Sequence, residues 1–419
     1  MKNTLEYALR MDAEDPLRSF RDEFHQPGSP EKPQIYFCGN SLGLQPKSVK
    51  EDLLKELEDW KYYGIDGFHK PRAPWMTYPQ QCADPLGKIL GAAPGEIAIM
   101  NALTANLHFL LCSLYRPDGK RNKILMEAGA FPSDQYAVET QLKFHGIDPA
   151  EGMIEIGPRA GENLVRLEDI ADAIHRNRDT ISVVLTGGVN YYTGQLFDMR
   201  AITVEAHRAG ALAGFDLAHA VGNLPLCLHD WDVDFAVWCS YKYLNGGPGA
   251  VGGAFLHDRI SADRARMRLA GWWGNDEGTR FDMKKQFEAQ AGAGGWQTST
   301  PPVFNMVALR SSLKIFSRTS MQMIRDKSIR LTGYLEFLLR EMGTAAPEII
   351  TGPDPMSRGA QLSLRFGEPA ADLHRSLAEA GVVSDFRKPG VIRMAPAPLY
   401  NSFEEVFDCV SILRSLVGV

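Results

Sequence analysis

One lysine in this chain stands where covalent chemistry would need it, between an apolar run and a glycine-rich turn: Ser240-Tyr241-Lys242-Tyr243-Leu244-Asn245-Gly246-Gly247-Pro248-Gly249. The run before it, Phe235-Ala236-Val237-Trp238-Cys239, has the length and composition of a buried strand. An amine delivered to the end of such a strand either solvates that end or reacts there. The reaction that suits it is a Schiff base with pyridoxal phosphate. A free lysine, with a pKa of about 10.4, is neutral in only about one molecule in a few thousand at pH 7, and condensation with an aldehyde removes that obstacle.

Four further features carry chemistry that such a cofactor would use. Phe215-Asp216-Leu217-Ala218-His219 places an aspartate at the end of the apolar run Ala211 to Phe215, and strand ends of this kind collect at the ligand crevice of an open α/β sheet. A carboxylate there would keep a pyridine nitrogen protonated, since an opposite charge within a few Å shifts a pKa by about 1 to 3 units. Capping or closing a turn is the other use for Asp216, and His219 either meets the cofactor or is a satisfied structural histidine. Leu103-Thr104 and Phe131-Pro132-Ser133-Asp134 each put a hydroxyl where a helix is expected to begin. The free N–H groups and dipole of such a start favour a phosphate, although Thr104 and Ser133 could equally be ordinary caps. Phe131 could also cover a ring face. Arg393, inside the apolar run Val391 to Met394, calls for a partner: a substrate carboxylate gripped by its fork, or an internal ion pair.

Two look-alikes are set aside. Gly247-Pro248-Gly249-Ala250-Val251-Gly252 has the letters of a dinucleotide fingerprint, but a strand rather than a helix is expected after it. His229-Asp230-Trp231-Asp232-Val233-Asp234 has metal-like spacing, yet Phe235 stands where a calcium loop needs glycine. It reads as a solvated bend entering a strand, and no metal site is expected.

The elements that must position these residues alternate as βα units. Strands are expected at Glu96 to Met100, Lys123 to Met126, Met153 to Ile156, Ile181 to Thr186, Ala211 to Phe215, Phe235 to Cys239 and Val251 to Leu256. Helices are expected at Ala105 to Tyr115, Asp134 to Phe144, Leu167 to Arg176 and Ala201 to Arg208. The unbroken apolar character of Ser182-Val183-Val184-Leu185 suits a strand covered on both faces, hence a mainly parallel sheet. After the Thr298-Ser299-Thr300-Pro301-Pro302 turn, one long helix from Phe304 to Met342 leads into a smaller αβ region with strands near Gln361 to Phe366 and Val391 to Met394.

The bulk numbers fit this plan. A chain of 419 residues exceeds the usual size of one core, and 44% hydrophobic with 23% charged residues is ordinary for a globular protein. A net charge of −6 gives no electrostatic reason to expect nucleic acid or an anionic membrane as a partner. Six cysteines without a CxxC pair, and an N-terminus without an apolar signal segment, lead to an expected cytoplasmic location.

Together with Tyr36-Phe37-Cys38-Gly39-Asn40-Ser41-Leu42-Gly43, Tyr191-Tyr192-Thr193-Gly194-Gln195, Phe215 to Gly222, Gly271-Trp272-Trp273-Gly274 and Gly390 to Ser402, these residues resemble the kynureninase family over most of the chain. Only the lysine and aspartate features are shared widely across related folds. The resemblance implies an α/β fold of the aspartate-aminotransferase-like type (fold type I), with residues 1–50 packing on the small domain. Residues 51–303 would form the large cofactor domain and residues 304–419 the small one.

It further implies that Lys242 bonds covalently to pyridoxal phosphate while Asp216 faces the ring nitrogen. Leu103, Thr104, Phe131, Pro132, Ser133, Asp134, His219, Tyr241, Trp272 and Thr300 would surround the cofactor, the last two from the neighbouring subunit of a homodimer. Arg393, with Asn40, Ser41 and Phe68, would face the substrate, and Tyr241 would relay a proton. The implied reaction is hydrolysis of L-kynurenine to anthranilate and L-alanine, a step of tryptophan catabolism. Phe68 cannot hydrogen-bond a ring hydroxyl, so 3-hydroxykynurenine is expected to be the poorer substrate, as in bacterial members. Cysteine desulfuration, transamination, and a non-catalytic binding role on the same fold are the competing readings.

Overall fold

The apolar runs assemble into one seven-stranded sheet. In the computed structural model, which describes residues 1–29, 31–367 and 369–419, its strands are β1 (Ile97–Ile99), β2 (Lys123–Glu127), β3 (Met153–Ile156), β4 (Ile181–Gly187), β5 (Leu212–Asp216), β6 (Phe235–Trp238) and β7 (Gly253–Leu256). Their spatial order is β1-β7-β6-β5-β4-β2-β3. β7 runs antiparallel to both neighbours and every other pairing is parallel. The chain leaves β1 at one edge and resumes at β2 far across the sheet, so the carboxyl ends of β1, β2, β4, β5 and β6 border one crevice.

The longer helices are α1 (Leu5–Ala13), α2 (Val49–Tyr63), α3 (Tyr78–Leu90), α4 (Leu103–Leu114), α5 (Pro132–Phe144), α6 (Leu167–Arg176), α7 (Met199–Arg208), α8 (Val303–Phe316), α9 (Met321–Arg340), α10 (Ala370–Glu379) and α11 (Phe403–Val417), of which α3, α6, α7 and α8 cover one face of the sheet and α4 and α5 the other. Strand periodicity sends alternate side chains to opposite faces. Val184, Phe215 and Trp238 join a core with α3, α6, α7 and α8, whereas Val183, Val237 and Leu256 join another with α4 and α5. Each valine of the Val183-Val184 pair is fully buried, which accounts for the unbroken apolar run. Burying such a side chain contributes about 1.5 to 3 kcal/mol.

The C-terminal region adds an antiparallel sheet of β8 (Glu348–Ile349), β9 (Leu362–Arg365), β10 (Asp385–Arg387) and β11 (Val391–Met394), in the order β8-β9-β11-β10. The start of the chain returns to it. Ala8 and Phe37 lie in the same core as Leu335, Ile392 and Phe403, and Ile35–Tyr36 pairs in parallel with Val382–Val383. Asp12 caps α11, accepting from the amides of Phe403 at 2.8 Å and Glu404 at 2.9 Å.

The single long helix expected from Phe304 to Met342 is instead two, α8 and α9. Ser320 leaves helical geometry (φ −122°, ψ 154°), and its hydroxyl accepts from the amide of Met323. Within Ser317-Arg318-Thr319-Ser320 such hydroxyls compete for backbone partners and favour a cap over continuation. Among the described residues no helix is long and apolar enough to cross a membrane.

Candidate active site

The lysine turn is built where β6 runs out. Asn245 N–H donates to Lys242 O at 2.9 Å and Gly246 N–H to Ser240 O at 2.8 Å, closing the loop on itself. Asn245 (φ 53°) and Gly247 (φ 79°) take left-handed conformations, which glycine adopts without a steric penalty and asparagine at small cost. The Tyr36 to Gly43 segment docks on this turn: Gly43 N–H donates to Tyr241 O at 2.8 Å, and a Cβ on Gly43 would overlap Lys242 O. Glycine is required there by the closeness of the two backbones.

Lys242 Nζ lies 3.0 Å from His219 Nε2 and 5.8 Å from the Phe131 ring centroid. Burial, then the charge of Lys242, then Arg393 and Arg387, push the His219 pKa well below its ordinary value. The imidazole is therefore neutral and accepts at Nε2, which leaves its proton on Nδ1. Phe131 in turn meets the edge of Tyr191, ring centroids 5.3 Å apart.

Three carboxyl groups line the same crevice as the lysine: Asp216 ends β5, Glu127 ends β2 and Asp134 opens α5. Asp216 Oδ1 accepts from the amide of Ala218 at 2.7 Å, so the turn use foreseen for it coexists with its place in the crevice. Glu127 Oε2 accepts from the amide of Gly187 at 2.7 Å. Burial is the largest cause raising all three pKa values, and Asp216 adds to the rise at Glu127, carried to about 7, and at Asp134. The interaction between Asp134 and Asp216 acts unequally, raising the pKa of Asp134 and lowering that of Asp216 against its burial. Asp134 Oδ1 is buried with no partner. Each carboxyl is held toward its neutral form, and a cation in the crevice would draw it back toward the charged one.

The starts of α4 and α5 face the same crevice. Their cap positions are Ala102 and Phe131, and neither cap residue's side chain accepts from the first turn of its helix. Thr104 and Ser133 therefore do not cap, against that reading of the sequence; both sit inside their helices and line the crevice. A lysine amine, a group of buried carboxyls and two uncapped helix starts fit the aldehyde, the protonated ring nitrogen and the phosphate of pyridoxal phosphate respectively.

The crevice gathers Leu103, Thr104, Phe131, Ser133, Asp134, Asp216, His219, Tyr241 and Lys242 from the sequence-derived set. It leaves others outside. Pro132 occupies the first turn of α5 without lining the crevice. Phe68 is half-buried and packs edge-on against Trp75, centroids 5.5 Å apart. Trp272 is exposed, donating to Arg280 O at 3.1 Å, and Thr300 is exposed.

Arg393 is 1% exposed and already engaged. It pairs with Asp385 at 2.8 Å, donates to Tyr191 O at 2.6 Å and reaches Ser41 Oγ at 3.3 Å. The internal ion pair is thus present, and it holds the guanidinium beside Tyr191 at the crevice wall. Ser41 also donates to Asp385 at 3.1 Å, and Asn40 donates to Gln361 at 2.8 Å. The sequence reading passed over Glu127, Asp385 and any role for Tyr191. Glu127 carried a usable signal, a carboxylate ending the apolar run Lys123-Ile124-Leu125-Met126, as Asp216 ends its own.

Comparison with known proteins agrees with this geometry. The model of the kynureninase C-terminal domain matches residues 324–413. The kynureninase of Myxococcus xanthus is 52% identical over 410 residues, 97% of this chain and 96% of that protein. That of Koribacter versatilis is 48% identical over 99% of this chain and 97% of its own length, and that of Nematostella vectensis 46% over 98% and 93%. Among solved structures, apo cysteine desulfurase from Thermococcus onnurineus superposes with a TM-score of 0.79 at 16% identity, covering 97% of this chain and 98% of its own. A C-DES variant with glycine covalently linked to its PLP cofactor gives 0.78 at 18%, covering 94% and 98%. At such identities the structural likeness speaks for the fold alone.

Proposed function

The chain belongs to the kynureninase family, a pyridoxal-phosphate-dependent hydrolase that splits L-kynurenine into anthranilate and L-alanine, and from that premise we propose how its own side chains carry the reaction. The observation that bears most weight is the contact of Lys242 with neutral His219 in the crevice that Asp216 and Asp134 also line. Bound here, pyridoxal phosphate supplies an electron sink for the negative charge that develops on the substrate carbons.

Lys242 would hold the cofactor aldehyde, and its free amine would take the Cα proton. Asp216, beside Asp134, would favour a proton on the ring nitrogen. Leu103, Thr104 and Ser133 would present the helix starts to the phosphate, and Phe131 would cover the ring. Tyr241 has its pKa raised, first by burial, so it stays a phenol and suits proton delivery to the departing Cβ. Arg393, fixed by Asp385, directs an N–H toward the substrate carboxylate with Ser41, while Asn40 braces that wall through Gln361.

The boundary expected near residue 303 moves to the break after α8, because α8 shares the core of the large sheet; part of residues 1–50 belongs to the small domain, as the shared core of Ala8, Phe37 and Phe403 supports. A homodimer with shared sites is part of the same reading. Leu54, Leu57, Trp60 and Phe304 form an exposed apolar group, and Trp272, Thr300 and Phe68 would serve the partner's crevice rather than their own. A cytoplasmic location accords with six free cysteines, and kynurenine is preferred to its 3-hydroxy form. The test is fluorescence of anthranilate released from L-kynurenine by the loaded protein beside its Lys242→Ala variant. Lysine-dependent release with equimolar alanine is the expected result; equal release by both would overturn the assignment of Lys242.

A further inference from the structure

At the opposite end of the strands that carry the lysine site, four side chains from three separate parts of the chain converge. Glu96 immediately precedes β1, His229 lies in the bend before β6, and His257 and Asp258 follow β7. Because β7 is antiparallel and sits between β1 and β6, all four reach the same edge. Their ligand-type atoms lie within 4.8 Å of one another. Glu96 Oε1 is 2.8 Å from His229 Nδ1 and 3.8 Å from His257 Nδ1, and His257 Nδ1 is 2.7 Å from Asp258 Oδ1. The two imidazoles stack, centroids 4.7 Å apart and planes 18° apart.

The hydrogen bonds leave a place for a cation. His257 Nε2 faces the carbonyl of His229 at 3.3 Å, and a carbonyl can only accept, so the ring proton belongs on Nε2 and the lone pair on Nδ1. That lone pair then points at two carboxylates, with the Arg259 amide at 3.3 Å as its one hydrogen-bond donor among the described residues. A histidine donating its far N–H to a backbone carbonyl while its near nitrogen meets carboxylates is the usual support of a metal ligand. The Glu96 side chain is 2% exposed and held by the amides of Ala93 and Asp258, each at 2.9 Å, which fixes the position of its oxygens.

We propose that Glu96, His229, His257 and Asp258 form a zinc site that clips β1, β6 and β7 together at the end remote from the lysine crevice. Two imidazole nitrogens and two carboxylate oxygens suit tetrahedral zinc, whose bonds of about 2.0 to 2.1 Å separate ligand atoms by roughly 3.3 Å. Asp258, 67% exposed, has the freedom to close the widest gap. His229 belongs to the stretch set aside above as a failed calcium loop; its partners Glu96 and His257 are too distant in sequence for spacing to reveal.

Equilibrium dialysis of the cofactor-loaded enzyme against zinc, with metal analysis, tests the site beside His229→Gln and the milder Asp258→Asn. About one zinc per chain is expected in the parent, with affinity at least about tenfold lower in each variant. Zinc should raise the unfolding midpoint of the parent alone, and cobalt in its place should show the intense visible bands of a tetrahedral ion. Kynurenine turnover without added metal should be unchanged in both variants. Equal zinc binding by parent and both variants would overturn the proposal. So would a parent that binds none, which would mean that a second proton on His257 occupies the gap.

Discussion

Two groups of buried carboxylates flank the crevice, and the protein treats them in opposite ways. Asp385 lies between Arg393 and Arg387, accepts from both at 2.8 to 3.1 Å, and has its pKa drawn below the ordinary value because hydrogen bonding and charge from Arg393 outweigh the burial that opposes them. Asp216, Asp134 and Glu127 have no arginine against them among the described residues; burial carries all three pKa values up, and the charge of Asp216 adds to the rise at Asp134 and Glu127. The first is a finished internal structure that fixes the Arg393 guanidinium. The second lacks such a partner, and on the function proposed above a protonated cofactor ring would supply the positive charge.

The largest test of this contrast concerns the positive charge the protein does own. Lys242→Ala should lower turnover by about 10³-fold or more, as loss of a general base alone costs about 10² to 10⁴, measured as anthranilate release; near-parental rates would break the reading.

At the finished group, Asp385→Ala strands a nearly buried Arg393 beside Arg387 and should cost about 3 to 5 kcal/mol in urea unfolding. Asp134→Asn, at the incomplete group, should leave the cofactor-free protein as stable as the parent or more so, while turnover falls. A loss of stability as large as that of Asp385→Ala would erase the difference between the two regions.

The pH dependence sharpens the same point. Glu127 has its folded-state pKa raised, so its contribution is fully present below the unfolded value of about 4.5 and lost as pH rises through about 7. Asp385 has its pKa lowered, so its contribution is present above the ordinary carboxylate value and lost on acidification. In cofactor-free protein, Glu127→Gln should remove a decline of up to about 3 kcal/mol between pH 4.5 and 7; an unchanged slope would show that Glu127 does not titrate there. The smallest effect is expected at Phe68→His, a shift toward 3-hydroxykynurenine of up to about 10²-fold in the ratio of kcat/KM values. An unchanged ratio would remove Phe68 from the specificity reading.

Much of this was legible beforehand where one local signal sufficed. The strands β2, β3, β4 and β6 begin where their apolar runs begin, and Asp216 and Lys242 announced themselves as polar residues ending such runs. Glu127 obeys the same rule and was overlooked among weaker charges. Elements whose partners lie far off were harder. No helix or strand was expected before residue 96, although α1, α2 and α3 form there, and α8 was run into α9 because apolar periodicity survives a four-residue break that only Ser320 capping reveals.

The sequence by itself determined the sheet, the lysine turn and the class of cofactor, because strand period, glycine conformation and the reactivity of an amine are local properties. Only tertiary structure decided that Thr104 and Ser133 leave their helix starts open, that Arg393 is held by Asp385, and that Glu96 meets His257. Each depends on which groups share a buried space, and burial, which sets both the pKa of a carboxylate and the partners of a cation, is a property of the packed chain rather than of any stretch of it.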